Sequence, residues 1–298
     1  MVKVDKVSKR YDDITALDEL TVEIPKGAAY GLLGTNGAGK STMLRLMSGV
    51  YRADSGAVTI EGSPVYDNPD VKRKLILVSD ETSQFNGMTV KGMRDFYKTF
   101  YPKFSDEVFA ELLKTVELPE NKTLSRFSKG MKRQAAVICG IAACPDYLFL
   151  DEAFDGLDPA MRDRVRKMMI NAMCDYDMTV TVSSHNLREI EEFCDTVGLL
   201  HNGKMLFSKS FEELKGEVHK IQCGFETVPE KSDFPELDIV YIEQKGGSVN
   251  IIYKGNENNA CQVINKKAPR FINPVPLSLE DIFIYETEGS SYDRNALL

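Results

Sequence analysis

The sequence predicts an α/β fold centred on a mostly parallel sheet, and three observations carry that prediction. Short apolar runs alternate with helical segments from the start of the chain to about residue 210, the pattern of strands joined by crossover helices. Three of these runs are nearly continuous in apolar residues, as strands buried on both faces require. Glycines, carboxylates and a histidine stand directly behind the runs, at the strand ends where ligands of open α/β sheets bind.

Taken in order, "TVEIP" (21–25) and "AAYGLLG" (28–34) read as strands, followed by "GAVTIEG" (56–62) and "KLILVS" (74–79). "YLFLDE" (147–152), "TVTVSS" (179–184) and "TVGLLHNGKMLF" (196–207) are the later ones. Between Thr89 and Cys144 the strand signals stop. "TVKGMRDFYKTFY", "SDEVFAELLKTVEL" and "KGMKRQAAVICGIAAC" place apolar residues three and four apart, with breakers such as Pro102, Pro119 and Pro145 between them. They read as an all-helical subdomain, about residues 85–145, inserted into the α/β domain. After about Lys215 the character changes again. "HKIQCGFETV", "DIVYIEQKGGSVNIIYKG" and "ENNACQVINKKA" suggest a small α+β appendage, with "KGGS" as a hairpin turn. "SLEDIFIYETEG" reads as a closing helix capped by Ser278, with Glu280 and Asp281 in its first turn. The division is therefore 1–215 and 216–298.

Composition narrows the function classes. With 43% apolar and 28% charged residues the chain of 298 residues suits a globular fold, and its net charge of -8 lacks the basic footprint of a phosphate-backbone binder. Nucleic acid is not an expected partner. Cys139, Cys144, Cys174, Cys194, Cys223 and Cys261 show no CxxC pair or zinc-type spacing, so they read as reduced, buried small hydrophobes of a cytosolic protein. No run approaches the ~18 apolar residues of a membrane span, and "MVKVDKVSKRY" lacks the apolar stretch of a signal peptide. Any membrane role is expected to run through another chain.

The spacing Gly34-x4-Gly39-Lys40-Ser41 fits the P-loop pattern. In such a loop the backbone of Gly34, Thr35, Asn36, Gly37, Ala38 and Gly39 brings consecutive N–H groups onto phosphate oxygens without side chains in the way. Lys40 then reaches the β- and γ-phosphates, Ser41 offers a hydroxyl to Mg²⁺ with Thr42 behind it, and the helix that starts there points its positive end at the same anion. Asp151 and Glu152 follow four apolar residues, and a carboxylate at a buried strand end needs a partner. Mg²⁺ beside the phosphates is one: Asp151 would hold it through water, and Glu152 would polarise the water that attacks the γ-phosphate. An acidic pair at a helix start is the plainer alternative. His185, behind "TVTVSS", would donate to a γ-phosphoryl oxygen or simply be a satisfied histidine. Tyr11 would stack on adenine or be an aromatic near a strand edge.

The stretch "LSRFSKGMKRQAAVICGIAACPDYLFLDEAFDGLDP", followed by "SSH", resembles the nucleotide-binding subunits of ABC transporters over roughly residues 1–210. The resemblance implies a P-loop NTPase core with an antiparallel N-terminal β subdomain. It also implies a head-to-tail dimer with a second ATPase subunit, either this chain or a paralogue, in which ATP is sandwiched between the P-loop of one subunit and the signature motif of the other. Ser128 and Gly130 match that motif's serine and second glycine and would touch the γ-phosphate across the interface. Asp158 in "GLDP" matches the aspartate that joins the two sites. The helical subdomain would receive a coupling helix from a separate transmembrane permease, holding the chain at the inner face of the plasma membrane.

This chain departs from the family pattern in two places. Lys129 and Met131 replace a glycine and a glutamine of the signature motif, and Lys129 would either assist the phosphate contact or face solvent. Asp80 takes the place of the Q-loop glutamine; it can approach Mg²⁺ but cannot donate a hydrogen bond, and Gln84 substitutes only if the loop shifts. The ending in a "SLEDIF"-like helix resembles single-cassette motors of exporters of drugs, bacteriocins and small amphipathic peptides. An ATP-hydrolysing, Mg²⁺-dependent exporter motor is therefore expected. An importer motor, a non-transport ABC ATPase and a regulatory ATP-binding protein are the alternatives.

Overall fold

The computed structural model describes residues 1–79, 85, 87–278 and 281. Asp80, Gln84 and, apart from Ser278 and Asp281, the expected closing helix lie outside them. The described chain divides into two compact units, Met1–Ser208 and a second that starts at Lys209.

The first unit opens with strands β1 (Val2–Tyr11) and β2 (Ile14–Ile24), an antiparallel pair closed by Tyr11 opposite Ile14. The chain then enters β3 (Ala29–Leu33), the P-loop and helix α1 (Lys40–Met47). It returns through β4 (Ser55–Ile60) and β5 (Ser63–Pro64), giving a four-stranded antiparallel sheet of order β2-β1-β4-β5. Helix α2 (Pro69–Lys72) leads into β6 (Leu75–Val78). The helical insertion follows as α3 (Val90–Phe100), α4 (Asp106–Val116) and α5 (Lys129–Ala142). Each begins where a short hydroxyl side chain caps a free amide: Thr89 accepts from Gly92, Ser105 from Val108 and Ser128 from Met131.

The chain then alternates β7 (Tyr147–Asp151), α6 (Pro159–Tyr176), β8 (Thr179–Ser184), α7 (Leu187–Phe193), β9 (Thr196–His201) and β10 (Lys204–Ser210). A six-stranded sheet results, of order β10-β9-β3-β8-β7-β6. β3 runs parallel to β8 and β9, and β7 parallel to β8 and β6. Every residue of β3, β7 and β8 is buried; β3 and β7 accordingly read as nearly continuous apolar runs, whereas β8 alternates Thr and Val before its two serines although both of its faces are enclosed. The register sets Leu33 beside Ser184 and Asp151 beside Ser183, so the carboxyl ends of β3, β8 and β7 form one edge. Behind them, Val4, Leu20, Tyr30, Leu32, Leu44, Met47 and Phe149 belong to one core shared by β1, β2, β3, α1 and β7. Full burial of each aliphatic side chain of this kind contributes about 1.5–3 kcal/mol.

One expected strand becomes two. "TVGLLHNGKMLF" is interrupted at Asn202-Gly203, whose φ values of 46° and 77° are those of a two-residue hairpin turn. The cysteines also divide: Cys139, Cys194 and Cys223 are buried and Cys144 and Cys261 half-buried, but Cys174 on α6 is exposed, so burial does not hold for all six.

In the second unit, helix α8 (Phe211–Glu217) precedes strands β11 (His219–Gly224), β12 (Asp238–Lys245) and β13 (Ser248–Lys254), helix α9 (Glu257–Asn265) and β14 (Phe271–Val275). The antiparallel sheet has order β12-β13-β11-β14, with Gly246-Gly247 turning β12 into β13. Ile221, Cys223, Ile251 and Tyr253 from the sheet pack with Ala260, Val263 and Ile264 of α9. Ser278 and Asp281 exchange the reciprocal bonds of a capping box: Ser278 Oγ accepts the Asp281 amide at 3.2 Å and an Asp281 carboxylate oxygen accepts the Ser278 amide at 2.9 Å. Among the described residues, no helix is long and apolar enough to cross a membrane.

Candidate functional site

The P-loop hangs from the buried end of β3. Its glycines are fixed by space as well as by φ: a Cβ on Gly34 would lie 2.5 Å from the Leu200 carbonyl oxygen, and one on Gly39, which caps α1 with φ at 110°, 2.6 Å from that of Ala16. Lys40 is the first residue of α1, and only 6% of it is exposed. Its ammonium folds back to donate to the carbonyls of Gly34 at 2.7 Å and Thr35 at 3.2 Å, and it pairs with Glu152 Oε1 at 3.2 Å.

A cleft of about 500 Å³ opens over this loop. Of the residues expected at the site, Tyr11, Thr35, Asn36, Gly37, Gly39, Lys40, Ser41, Thr42 and Glu152 line it, whereas Gly34, Ala38, Asp151 and His185 do not. Tyr11 stands at the tip of the β1–β2 hairpin, its ring in edge contact with Tyr51 at 6.0 Å and with Lys9 Nζ 5.7 Å from its centroid. Ile14, Thr15, Ala16, Asn202 and Gly203 complete the wall. These five are not in the sequence reading. The Asn-Gly dipeptide was the available signal, and the Gly203 amide donates to the Ala38 carbonyl at 3.0 Å, joining the β9–β10 turn to the P-loop.

The acid pair sits at the end of β7. Asp151 is 3% exposed and accepts the Ser183 hydroxyl at 2.7 Å, while the Glu152 amide donates to the same oxygen at 3.0 Å. One β8 hydroxyl therefore orients both acids, a role that the second-last residue of "TVTVSS" did not advertise. Glu152 takes a left-handed backbone with φ at 50°. Its two carboxylate oxygens face different partners: Oε1 meets Lys40, and Oε2 meets His185 Nδ1 at 2.9 Å. The P-loop, the end of β7 and the end of β8 thus converge on a single carboxylate.

Ser128, Gly130 and Asp158 lie elsewhere on the unit, and none of them lines the cleft. Ser128 caps α5, and Asp158 caps α6 by accepting the Met161 amide at 2.9 Å ahead of Pro159. The two caps belong to touching segments. A Cβ on Gly130 would come within 3.0 Å of the Gly156 carbonyl oxygen, and Lys129, rather than facing solvent alone, pairs with Asp155 at 3.1 Å. The Lys129 ammonium holds the Asp155 carboxyl below the usual carboxylate range. Arg133, 2% exposed on α5, donates through Nη1 to the carbonyls of Glu152 and Asp155, the latter at 3.0 Å. This guanidinium, a buried charge in the first half of α5, is a further residue that the reading missed. Among the described residues, no group of three or more His, Cys, Asp or Glu side chains forms a metal cluster. Asp80 lies outside them.

Comparison with known proteins agrees with this geometry. The ABC transporter family model matches residues 17–155. The chain is 31% identical over 289 residues to the ABC transporter ATP-binding protein YtrB of Bacillus subtilis, covering 97% of this chain and 99% of that one. It is 30% identical to the lantibiotic transport ATP-binding protein SrtF of Streptococcus pyogenes over 71% of this chain and 92% of that protein. It is 29% identical to the bacitracin transport ATP-binding protein BcrA of Bacillus licheniformis over 74% and 73%. Among solved structures, the ATP-binding subunit of an ABC transporter superposes with a TM-score of 0.65 at 25% identity, over 72% of this chain and 92% of that one. A dimeric cassette in a post-hydrolysis state with ADP and Pi shares the fold, with a TM-score of 0.62 at 22% identity over 70% of this chain and 98% of that chain. The chain belongs to the ATP-binding, ATP-hydrolysing subunits of ABC transporters.

Proposed function

We propose that this chain is the motor of a separate membrane permease that exports an antimicrobial or a small amphipathic peptide. The observation that carries the reading is Glu152, with one oxygen on Lys40 and the other on His185. With ATP in the cleft, the P-loop amides and Lys40 hold the β- and γ-phosphates, which releases Glu152 Oε1 to polarise the attacking water. His185 donates to the γ-phosphoryl oxygen, and Tyr11 flanks the base. Ser41 in the cleft and the Asp151 carboxylate at the end of β7 offer oxygen donors that suit Mg²⁺, with Asp151 acting through water and Asp80 from beyond the described residues. The metal would neutralise developing phosphate charge.

Ser128, Gly130 and Asp158 stand away from their own cleft, which supports their serving the ATP of a second cassette in a head-to-tail dimer. An aromatic groove of about 480 Å³, lined by Phe85, Phe96, Tyr97, Phe100 and Tyr101 and exposing Phe96 and Phe100, supports docking of a permease helix. A permease bound there would hold the chain at the inner face of the plasma membrane. The bacitracin and lantibiotic transport relatives favour export.

The test is ATP hydrolysis with and without the permease encoded beside this gene, reconstituted in vesicles. Stimulation at least about tenfold, lost on Phe100→Glu, is expected; hydrolysis indifferent to any membrane partner removes the motor reading.

A further inference from the structure

Glu189 is a buried carboxylate that the site above leaves unused. It lies on α7, is 7% exposed, and a charge so placed is retained only where partners repay its desolvation. The partners are specific. Oε2 accepts the Ser184 hydroxyl at 2.6 Å, and Oε1 pairs with Arg162 Nη1 at 3.3 Å. A hydroxyl has a single proton to give. With that proton directed at Glu189, the Ser184 oxygen accepts the Asn186 amide at 2.9 Å. The residues on both sides of His185 are thereby fixed to one carboxylate. His185 itself is half exposed, and its bond to Glu152 holds the ring from the other side. Arg162 extends the tie: it is in the first turn of α6, and its amide donates to the Asp158 carbonyl at 2.9 Å.

We propose that Glu189 is a positioning residue for His185, acting through Ser184 and anchored by Arg162 to the helix that Asp158 caps. The proposal rests on His185 serving hydrolysis, as argued above. The carboxylate does not line the cleft. It fixes the hydroxyl that shapes the loop, so its loss lowers the rate of the chemical step and leaves ATP binding alone.

The test is single-turnover ATP hydrolysis by the full chain, with KM for ATP measured in parallel, for Ser184→Ala, Glu189→Ala and Glu189→Gln. The first two lower kcat by about ten- to a hundredfold with KM within about twofold, as expected for a misplaced catalytic group. Glu189→Gln keeps an oxygen for Ser184 and retains kcat within about threefold. Repeated in a His185→Ala background, Ser184→Ala costs nothing further, because the group it positions is gone. Equal losses in both backgrounds, or wild-type kcat in Ser184→Ala and Glu189→Ala, overturn the proposal. Should Glu189→Ala fail to fold, Ser184→Ala, which removes one oxygen atom, decides alone. If His185→Ala itself leaves kcat unchanged, the assignment of His185 is at fault and the positioning role falls with it. If it lowers kcat and Ser184→Ala does not, the positioning role alone fails.

Discussion

The two units solve the same packing problem with different use of charge. Each stacks helices on a sheet and fills the space between with aliphatic side chains. In the first unit, Lys40, Arg133, Asp151 and Glu189 are all less than 9% exposed, whereas the buried charged residue described in the second is Asp281, paired with Lys220 at 2.8 Å. Burying a charge is costly, so a sequence that does so repeatedly within one unit is keeping it for a reason other than stability. The four buried charges lie on or within a few residues of the P-loop, the ends of β7 and β8, and the signature segment. The difference teaches where chemistry resides: the first unit trades packing for site geometry, and the second spends its core on cohesion.

That contrast can be broken or sharpened by substitution. The largest effect on folding is expected in the second unit: Ile251→Ala, at a side chain with 0% exposure, costs about 2–5 kcal/mol in denaturant unfolding. ATP affinity and kcat stay within about twofold of the parent if cohesion is all that this core supplies. A matching loss of hydrolysis would mean that the contrast is false. Next comes Lys40→Ala, which removes charge-assisted hydrogen bonds worth about 1.5–3 kcal/mol, or about ten- to a hundredfold in ATP affinity by calorimetry. Retained affinity would take the phosphate away from this loop. The smallest effect belongs to Lys129→Ala. Its ion pair with Asp155 is largely solvent-exposed, so at neutral pH the loss is at most about 1 kcal/mol. Because Lys129 lowers the Asp155 pKa in the folded chain, the pair stabilises above the ordinary value of 3.8 and loses its contribution as the pH falls through the lowered one. The stability difference between parent and variant is thus flat above about pH 5 and fades on acidification. A difference that grows in acid would contradict the pairing.

Much of this was legible in the residues. β3 and β7 declared themselves as nearly continuous apolar runs, β8 by its β-branched Thr and Val residues, and the P-loop because polyphosphate binding leaves few choices at Gly34 and Gly39. That the P-loop, Glu152 and His185 share one sheet edge followed from reading what stands behind each strand; that Lys40 and His185 both meet the Glu152 carboxylate did not. What escaped was set by tertiary partners rather than local pattern. Ser183 and Ser184 look like any strand-end serines until the register brings one to Asp151 and α7 brings the other to Glu189. Arg133 resembles an ordinary helical cation until α5 is packed against the segment after β7. The Asn202-Gly203 turn was hidden inside an apolar run whose two halves are separate strands.

The central claim is that Glu152 performs chemistry rather than binding, and Glu152→Gln tests it most directly. The substitution keeps size and one acceptor oxygen, replaces the other oxygen with an NH2 group, and removes the base. Measured as single-turnover hydrolysis beside ATP affinity on the same preparation, the account predicts a fall in rate of at least about a hundredfold with affinity within about threefold. Hydrolysis at the parental rate, or a loss of affinity that accounts for the whole fall, would contradict it.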